Sequence, residues 1–170
     1  EAGAPLRVFH GTNKTFKAFD AGASNHGGAV FFSDSPEAAD DYARNTDAEY
    51  REGSQIVPAY VSIKKPFVKD YAGRRDTDEV MFDIQDAIAS GDFDGAILRN
   101  VDDGYRVSNH YVAFEPTQIK SAIGNSGAFD PNDPNIDRAV ADPAITSIPL
   151  ASYETQPLPD HEAKDRGPIP

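Results

Sequence analysis

A change of hydrophobic period marks the first third of the chain. The apolar run at residues 29–32, which contains two phenylalanines, favours a buried strand. Ser35 then offers an N-cap, and the next residue is a proline suited to the first helical position, so a helix is predicted to begin at about residue 36. With 3.6 residues per turn, Ala38, Ala39 and Tyr42 share one face of that helix. The pattern therefore predicts a strand that leads into a helix with a small-residue face.

Five further segments are predicted as strands, because apolar residues alternate or run continuously between turn formers. They are residues 6–9, 55–63, 66–68, 96–98 and 109–114. Pro58 has no backbone N–H, which predicts an edge position or a bulge for its strand. In the last segment, alternation places His110 and Val112 on one face and Tyr111 and Ala113 on the other.

A second helix is predicted from Asp76 or Thr77 to the pair Ser90-Gly91, with a solvated acidic surface. Its apolar face consists of Val80, Met81, Ile84 and Ile88. Residues 100–104 are predicted to form a turn, and residues 118–123 a short irregular or helical segment. Because strands dominate and do not alternate regularly with helices, the pattern indicates a mixed α+β domain.

The character of the chain changes after Phe129. Residues 131–170 hold 8 of the 13 prolines, which excludes a continuous helix or a long strand there. We therefore expect the folded domain to span residues 6–136 and residues 137–170 to form a proline-rich acidic tail or linker. Four apolar residues could still pin part of this tail onto the domain: Ile145, Ile148, Leu150 and Tyr153.

Composition limits the chemistry that is available. The chain has no cysteine, and its four histidines show no metal-ligand spacing, so neither thiolate chemistry nor a metal site is predicted. No apolar run reaches the roughly 18–20 residues of a membrane span, and a membrane partner is not expected. The first residue is Glu1, which favours an excised domain or a processed chain.

The formal charge of −12 disfavours nucleic acid as a partner, since binding to phosphates depends on clustered Lys and Arg. The candidate basic patch consists of Lys64, Lys65, Lys69, Arg74 and Arg75. A solvated sheet edge and loop is the simpler interpretation of these charges.

His10-Gly11-Thr12, at the end of the first strand, is the first chemical candidate. The glycine allows another molecule to approach the backbone, and the imidazole and hydroxyl offer hydrogen bonds. A structural histidine in a turn is the alternative. Phe16 and Phe19 follow closely and are predicted to be core anchors.

Three features together resemble the diphtheria-toxin-like and poly(ADP-ribose)-polymerase-like ADP-ribosyltransferases. They are His10-Gly11-Thr12 at a strand end, the aromatic strand at residues 30–33, and a tyrosine eleven residues after Phe31. The segment at residues 119–125, with Phe129-Asp130-Pro131, is further similar to the transferase domains of phage polyvalent proteins and related bacterial toxins. The resemblance covers about residues 6–136.

The resemblance implies a split mixed β-sheet that binds NAD in a cleft. His10 would bind the adenosine-side ribose, the Gly11 backbone would hold the nicotinamide amide, and Thr12 would complete the floor of the pocket. Tyr42 would stack on the nicotinamide ring, and Phe31, where the family commonly has tyrosine, would form the other wall. Ser33 and Ala39 match the pocket wall of the toxin-like branch.

His110 stands where the family has a glutamate at the start of a late strand. That glutamate accepts a hydrogen bond from the nicotinamide-side ribose and stabilises the oxocarbenium-like transition state. Three alternatives follow from the replacement. His110 can act as a neutral acceptor or as a base; a nearby acid, Glu115, Asp102 or Asp103, can supply the charge; or the domain is a weak enzyme or a binding module. Ser108, two residues earlier, does not support arginine as the acceptor.

The resulting hypothesis is an NAD-dependent mono-ADP-ribosyltransferase domain with His10 and His110 as catalytic residues. The acceptor would be a macromolecule, and the acidic charge favours a protein. The alternatives are an NAD glycohydrolase and a catalytically inactive NAD-binding or interaction module. For a toxin or effector of this kind we expect action in a cytoplasm, either of the producing cell or of a target cell, and an immunity or inhibitor protein is a candidate partner.

Overall fold

The structure, a computed structural model, describes residues 7–23, 28–44, 54–75, 77–123, 130 and 132–137. Across these residues, seven strands form one mixed sheet and two α-helices pack against it, which confirms the predicted α+β class. The strands are β1 (Arg7–Thr12), β2 (Val30–Ser33), β3 (Gln55–Val61), β4 (Pro66–Asp70), β5 (Gly95–Asp102), β6 (Val107–Ala113) and β7 (Ile119–Ser121). The helices are α1 (Pro36–Arg44) and α2 (Thr77–Ser90).

The sheet is split between its two central strands. The strand order is β4-β5-β6-β2-β1-β3-β7, and all neighbours are antiparallel except β4 and β5. Within the described residues, β1 and β2 are paired only through Phe9 and Ser33. The sheet therefore consists of two halves that meet at one residue pair, as the predicted split mixed sheet requires.

Each face of the sheet buries its own apolar cluster. The first cluster includes Val8, Phe19, Phe32 and Tyr111, with Phe16 packed against it, so the predicted core role of Phe16 and Phe19 is confirmed. The second lies under α2 on the opposite face and includes Phe67, Tyr71, Ile84, Leu98 and Val112. The predicted alternation along β6 is also confirmed, because Tyr111 and Ala113 join the first cluster and Val112 the second.

Both helices begin where the capping signals predict. The Ser35 hydroxyl accepts a hydrogen bond from the Ala38 N–H at 3.1 Å, which caps α1 ahead of Pro36. Helix α2 runs from Thr77 to Ser90, as expected. Neither of these two helices is long and apolar enough to cross a membrane.

Three predictions about local structure are wrong. Pro58 lies inside the sheet, because its strand β3 runs between β1 and β7. The Pro58 carbonyl accepts a hydrogen bond from the Ala122 N–H, where the β7 ladder ends. This side of the residue faces β7, so the missing N–H interrupts no hydrogen bond to β1. Residues 119–121 form strand β7 because they pair with β3. Strand β5 continues to Asp102 through an irregularity at Asn100, whose φ of 50° a short polar side chain tolerates.

The predicted small-residue face of α1 is present, whereas the prediction of a solvated acidic surface on α2 is wrong at one residue. In α1 the buried residues are Ala38, Ala39 and Ala43, and Tyr42 is 44% exposed at the edge of the face. In α2 the carboxylate of Asp83 is buried, because it accepts hydrogen bonds from Lys69 and from the Tyr71 hydroxyl, both at 2.6 Å. Lys69 of β4 and Tyr71, just after that strand, thus hold Asp83 inside the protein, where the sequence predicts a solvated side chain.

Residues 132–137 pack back onto the domain. Ile136 is buried in the first cluster, and its carbonyl accepts a hydrogen bond from the Ser121 N–H at 2.9 Å. Lys120 is fully buried, and its ammonium donates to the carbonyls of Asp133 and Asn135 at 2.7 Å. The predicted tail beyond residue 137 lies outside the described residues, as do Phe129 and Pro131.

Candidate active site

Gly11 lies directly beneath α1. A Cβ at this position would lie 1.9 Å from the Ala39 carbonyl oxygen, so only glycine permits the helix to approach β1 this closely. In β1, residue 11 shares a face with Phe9, which is paired with Ser33 across the split. Helix α1 therefore covers the face of the sheet that carries Ser33, and Ala39 is small because it contacts the strand.

His10 points to the opposite face, into a cage of aromatic rings. Its ring centroid lies 4.9 Å from that of Phe19, 5.6 Å from Phe32 and 6.4 Å from Phe16. Nδ1 lies 2.8 Å from the carbonyl oxygen of Phe31, across the place where β1 and β2 separate. Since a carbonyl only accepts, Nδ1 carries the hydrogen in this contact.

The tautomer of His10 follows from that contact. Burial lowers the pKa of His10 below its ordinary value, although the Phe31 hydrogen bond acts in the opposite direction. The ring is therefore neutral near pH 7, with hydrogen on Nδ1 and a lone pair on Nε2. His10 can thus accept a hydrogen bond from a hydroxyl group of a ligand that reaches the split.

Strand β2 brings two predicted residues to the α1 face. Phe31 is half-buried and packs against the second core cluster, opposite Val112 of β6. Ser33 is buried, and its hydroxyl accepts a hydrogen bond from the Ser35 N–H at 3.1 Å, which shapes the turn into α1. Both side chains share a face because they are two residues apart in one strand.

His110 is paired with Ser33 across β2 and β6 and with Leu98 across β5 and β6. Side chains that oppose each other in antiparallel strands share a face, so His110 lies on the α1 face beside Ser33. Its side chain is 14% exposed, and its Nε2 lies 3.8 Å from Oδ2 of Asp103. Burial lowers the pKa of His110, while the charges of Asp103 and Asp34 act to raise it.

The hairpin between β5 and β6 brings Asp103 close to α1. Arg106 donates to Asp41 of α1 through Nε at 2.7 Å and through a second guanidinium nitrogen, which ties the hairpin to the helix. Partial burial is the largest cause that raises the pKa of the Tyr42 hydroxyl, and electrostatic interactions with Tyr105 and Asp103 of the hairpin add to it. The hairpin therefore holds Asp103, which lies beside His110, close to the part of α1 that carries Asp41 and Tyr42.

The structure thus brings together most of the predicted site residues. Contacts and strand register link His10 to Phe31, Gly11 to Ala39, Ser33 to His110 and His110 to Asp103, whose hairpin is tied to α1 next to Tyr42 by the Arg106–Asp41 pair. Thr12 is not part of these links; its hydroxyl accepts a hydrogen bond from the Lys14 N–H at 3.1 Å and stabilises a turn.

The structure also distinguishes among the three candidate acids. Asp103 is the one beside His110. The Asp102 carboxylate accepts a hydrogen bond from the Gly104 N–H at 2.8 Å, and Glu115 caps the turn at residues 116–118. Glu115 lies beyond the end of β6, five residues from His110.

The sequence interpretation missed that the hydroxyl of Ser108 is buried on the same strand face as His110, without a hydrogen-bond partner among the described residues. It also missed the Arg106–Asp41 pair. The two positions are far apart in the chain, and neither side chain belongs to a local pattern.

A comparison with family models shows to which protein family the chain belongs. The model for ADP-ribosyltransferase in polyvalent proteins matches residues 1–129. The chain belongs to this family. No curated protein and no solved structure matches the chain.

The ADP-ribosyltransferase identity agrees with the split sheet and with the resemblance carried by His10-Gly11-Thr12 and the aromatic strand. The family match covers every site residue discussed above, from His10 to His110. It supports ADP-ribosylation in general, and the roles of individual residues remain predictions.

Proposed function

We propose that this domain transfers ADP-ribose from NAD to a macromolecular acceptor and releases nicotinamide. The observation that carries the proposal is the placement of Ser33 beside His110 near the split, with α1, which carries Tyr42, tied to the neighbouring hairpin through Arg106 and Asp41, and with His10 on the other face. A dinucleotide is long enough to contact both faces at such a gap. In this proposal the Gly11 backbone and Thr12 form the floor of the NAD site, as the family resemblance implies.

The donor set fits NAD chemically. The lone pair on Nε2 of His10 suits a ribose hydroxyl, and the half-exposed ring of Tyr42 suits the flat face of nicotinamide. Phe31 keeps an aromatic face on the second wall, and the small Ser33 lies two residues further along the same strand face. His110 then lies at the nicotinamide end, where the glycosidic bond breaks.

A protein acceptor is favoured over a nucleic acid by the charges on the domain. Part of the candidate basic patch is neutralised within the protein, since Lys69 pairs with Glu79 at 2.8 Å and with Asp83 at 2.6 Å. Arg74 lies 3.4 Å from Glu79 in the same group. The net charge of the whole chain, −12, would repel a phosphate backbone.

Transfer of label from NAD tests the proposal. The domain is incubated with NAD labelled in the adenosine moiety and with a cell lysate, and macromolecule-bound label is measured. We expect labelled protein with the parent domain and loss of labelling in Tyr42→Ala. Phe82→Ala, which truncates an aromatic residue of similar exposure on α2, is the matched control and should label like the parent.

The alternative functions give different products in the same reaction. Hydrolysis yields free ADP-ribose and nicotinamide without labelled protein. A binding module yields neither product but is stabilised by NAD against heat. Absence of labelling, of nicotinamide release and of an NAD-dependent shift in Tm would together refute the proposal and both alternatives.

A further inference from the structure

The pair formed by His110 and Asp103 has the arrangement of an acid–base unit. Nε2 of His110 faces Oδ2 of Asp103 at 3.8 Å, and the two side chains are 14% and 18% exposed. No hydrogen bond to the His110 ring is found within the described part of the chain, and Nδ1 is the basic nitrogen in the tautomer that places the hydrogen on Nε2, toward Asp103. A shielded imidazole with one edge toward a carboxylate can take up a proton and have its new charge compensated.

Asp103 is held in place by its own backbone contacts. Its Oδ1 accepts hydrogen bonds from the N–H groups of Tyr105 at 3.1 Å and Arg106 at 3.4 Å. The hairpin that carries it is tied to α1 by the Arg106–Asp41 pair. Oδ2 is therefore oriented toward His110 by the hairpin and not by a flexible side chain alone.

The other charged group near His110 is already engaged. Asp34, at the end of β2, accepts hydrogen bonds from the Asn109 N–H at 3.1 Å and from the Asn109 side chain at 2.7 Å. It contributes to the field at His110 without facing it as a pair. Tyr42 from α1 completes the surroundings on the Asp103 side. Asp103 is thus the carboxylate placed to act through the histidine.

We infer that His110 is the base that deprotonates the acceptor and that Asp103 is a positioning residue that stabilises the imidazolium so formed. This inference rests on the proposed transfer reaction. The bond from the anomeric carbon to nicotinamide breaks, and its electron pair neutralises the nicotinamide nitrogen. The acceptor atom bonds to that carbon, its proton passes to Nδ1 of His110, and the imidazolium later releases the proton to water.

The arrangement explains why a histidine can occupy this position. A lone imidazolium would repel the developing positive charge on the ribose, whereas an imidazolium beside a carboxylate adds no net charge to the site. Asp103, in the hairpin between β5 and β6, supplies the negative charge needed near the reacting carbon. His110, in β6, supplies the base.

Asp103→Asn tests the inference, because the amide oxygen can still accept the Tyr105 and Arg106 hydrogen bonds while the charge is lost. We expect kcat to fall about tenfold or more, since a positioned base contributes roughly 10²–10⁴ in rate, with KM for NAD nearly unchanged. The acid limb of the pH–rate profile should move to lower pH, because loss of the Asp103 charge destabilises the His110 imidazolium and so lowers the pKa of His110. Asp103→Glu restores the charge and should move the limb back.

Asp102→Asn is the matched control, since it removes a neighbouring carboxylate that caps the Gly104 N–H and does not face His110. It should leave kcat and the acid limb at their parent values. An active parent whose D103N and D102N variants behave alike would overturn the inference while leaving the proposed function intact. A parent that releases no nicotinamide would overturn the proposed function and, with it, the inference.

Discussion

Nδ1 of His10 lies 2.8 Å from the carbonyl oxygen of Phe31, at the point where β1 and β2 stop pairing. The contact bridges the two halves of the sheet and fixes the tautomer of the ring. His10 therefore has two separable functions: Nδ1 stabilises the split, and Nε2 is available to a ligand.

Two substitutions of His10 separate these functions. His10→Asn retains an N–H near the position of Nδ1 but loses the acceptor at Nε2, so we expect nearly normal stability and a KM for NAD raised about 2- to 10-fold, the value of one hydrogen bond. His10→Gln reaches the Nε2 position but loses the Phe31 bond, and should cost about 1 kcal/mol of stability with a smaller change in KM. Steady-state kinetics and urea unfolding measure the two effects. Equal KM values for both variants and the parent would exclude a ribose contact at Nε2.

Gly11→Ala should destabilise the domain strongly. The added methyl group would lie 1.9 Å from the Ala39 carbonyl oxygen, so α1 must move away from β1. We expect a loss of about 1–3 kcal/mol or more in the free energy of unfolding, from urea denaturation. Gly22→Ala is the control, because the nearest atom to its methyl group is a side-chain oxygen of Asp20 at 3.3 Å. Similar stabilities of the two variants would contradict the close contact of α1 with β1.

Asp83→Asn should destabilise the half of the fold that contains α2. The carboxylate accepts hydrogen bonds from Lys69 and from the Tyr71 hydroxyl, and both partners would lose a charged acceptor. Disrupting such a buried pair costs about 3–5 kcal/mol when a partner is removed, and somewhat less for the isosteric amide. Asp86→Asn, on the exposed side of the same helix, should change stability by less than about 0.5 kcal/mol. Thermal unfolding of the two variants makes the comparison, and equal Tm values would show that the Asp83 pair contributes nothing.

The stability of the domain should decrease as the pH falls below 6.5. Burial lowers the pKa of both His10 and His110 from the ordinary value of 6.5, so the unfolded chain binds more protons in this range. Each histidine can contribute at most about 1.4 kcal/mol per pH unit, and the full stabilisation is present above pH 6.5. The pKa values of Glu37 and Asp70 are also lowered. These two groups affect the pH dependence of stability only below their ordinary pKa values of 4.5 and 3.8.

His110→Asn removes one of the two contributions. The urea midpoint of this variant should depend less steeply on pH between 5 and 7 than that of the parent. Parent and variant with the same slope would show that His110 is not held neutral by the fold.

The sequence predicts those parts of the fold that depend on neighbouring residues. The Ser35-Pro36 cap, the extent of α2 and the alternation along β6 follow from local preferences and from a two-residue period. The predictions for Pro58 and for residues 119–121 are wrong because pairing between distant strands decides their structure. Asp83 and Lys120 are buried by partners from other segments, which no local pattern reveals.

The residues of the candidate site can likewise be predicted from the sequence in part, and the remaining contacts depend on the fold. His10-Gly11-Thr12, Phe31 and Tyr42 are recognisable from motif and spacing, and His110 from its place in a strand. That Asp103 lies beside His110 depends on the hairpin between β5 and β6 and on its attachment to α1 through Arg106 and Asp41. Asp102 and Asp103 are adjacent in sequence, and only the fold shows which of the two faces the histidine.

The central claim is tested most directly by the ratio of nicotinamide released to ADP-ribose attached to macromolecules. The domain is incubated with labelled NAD and a cell lysate, and both products are quantified in the same sample. Transfer predicts that release depends on the lysate and that the two amounts are equal. Nicotinamide release matched by free ADP-ribose, with no label bound to macromolecules, would contradict the claim that this domain is a transferase.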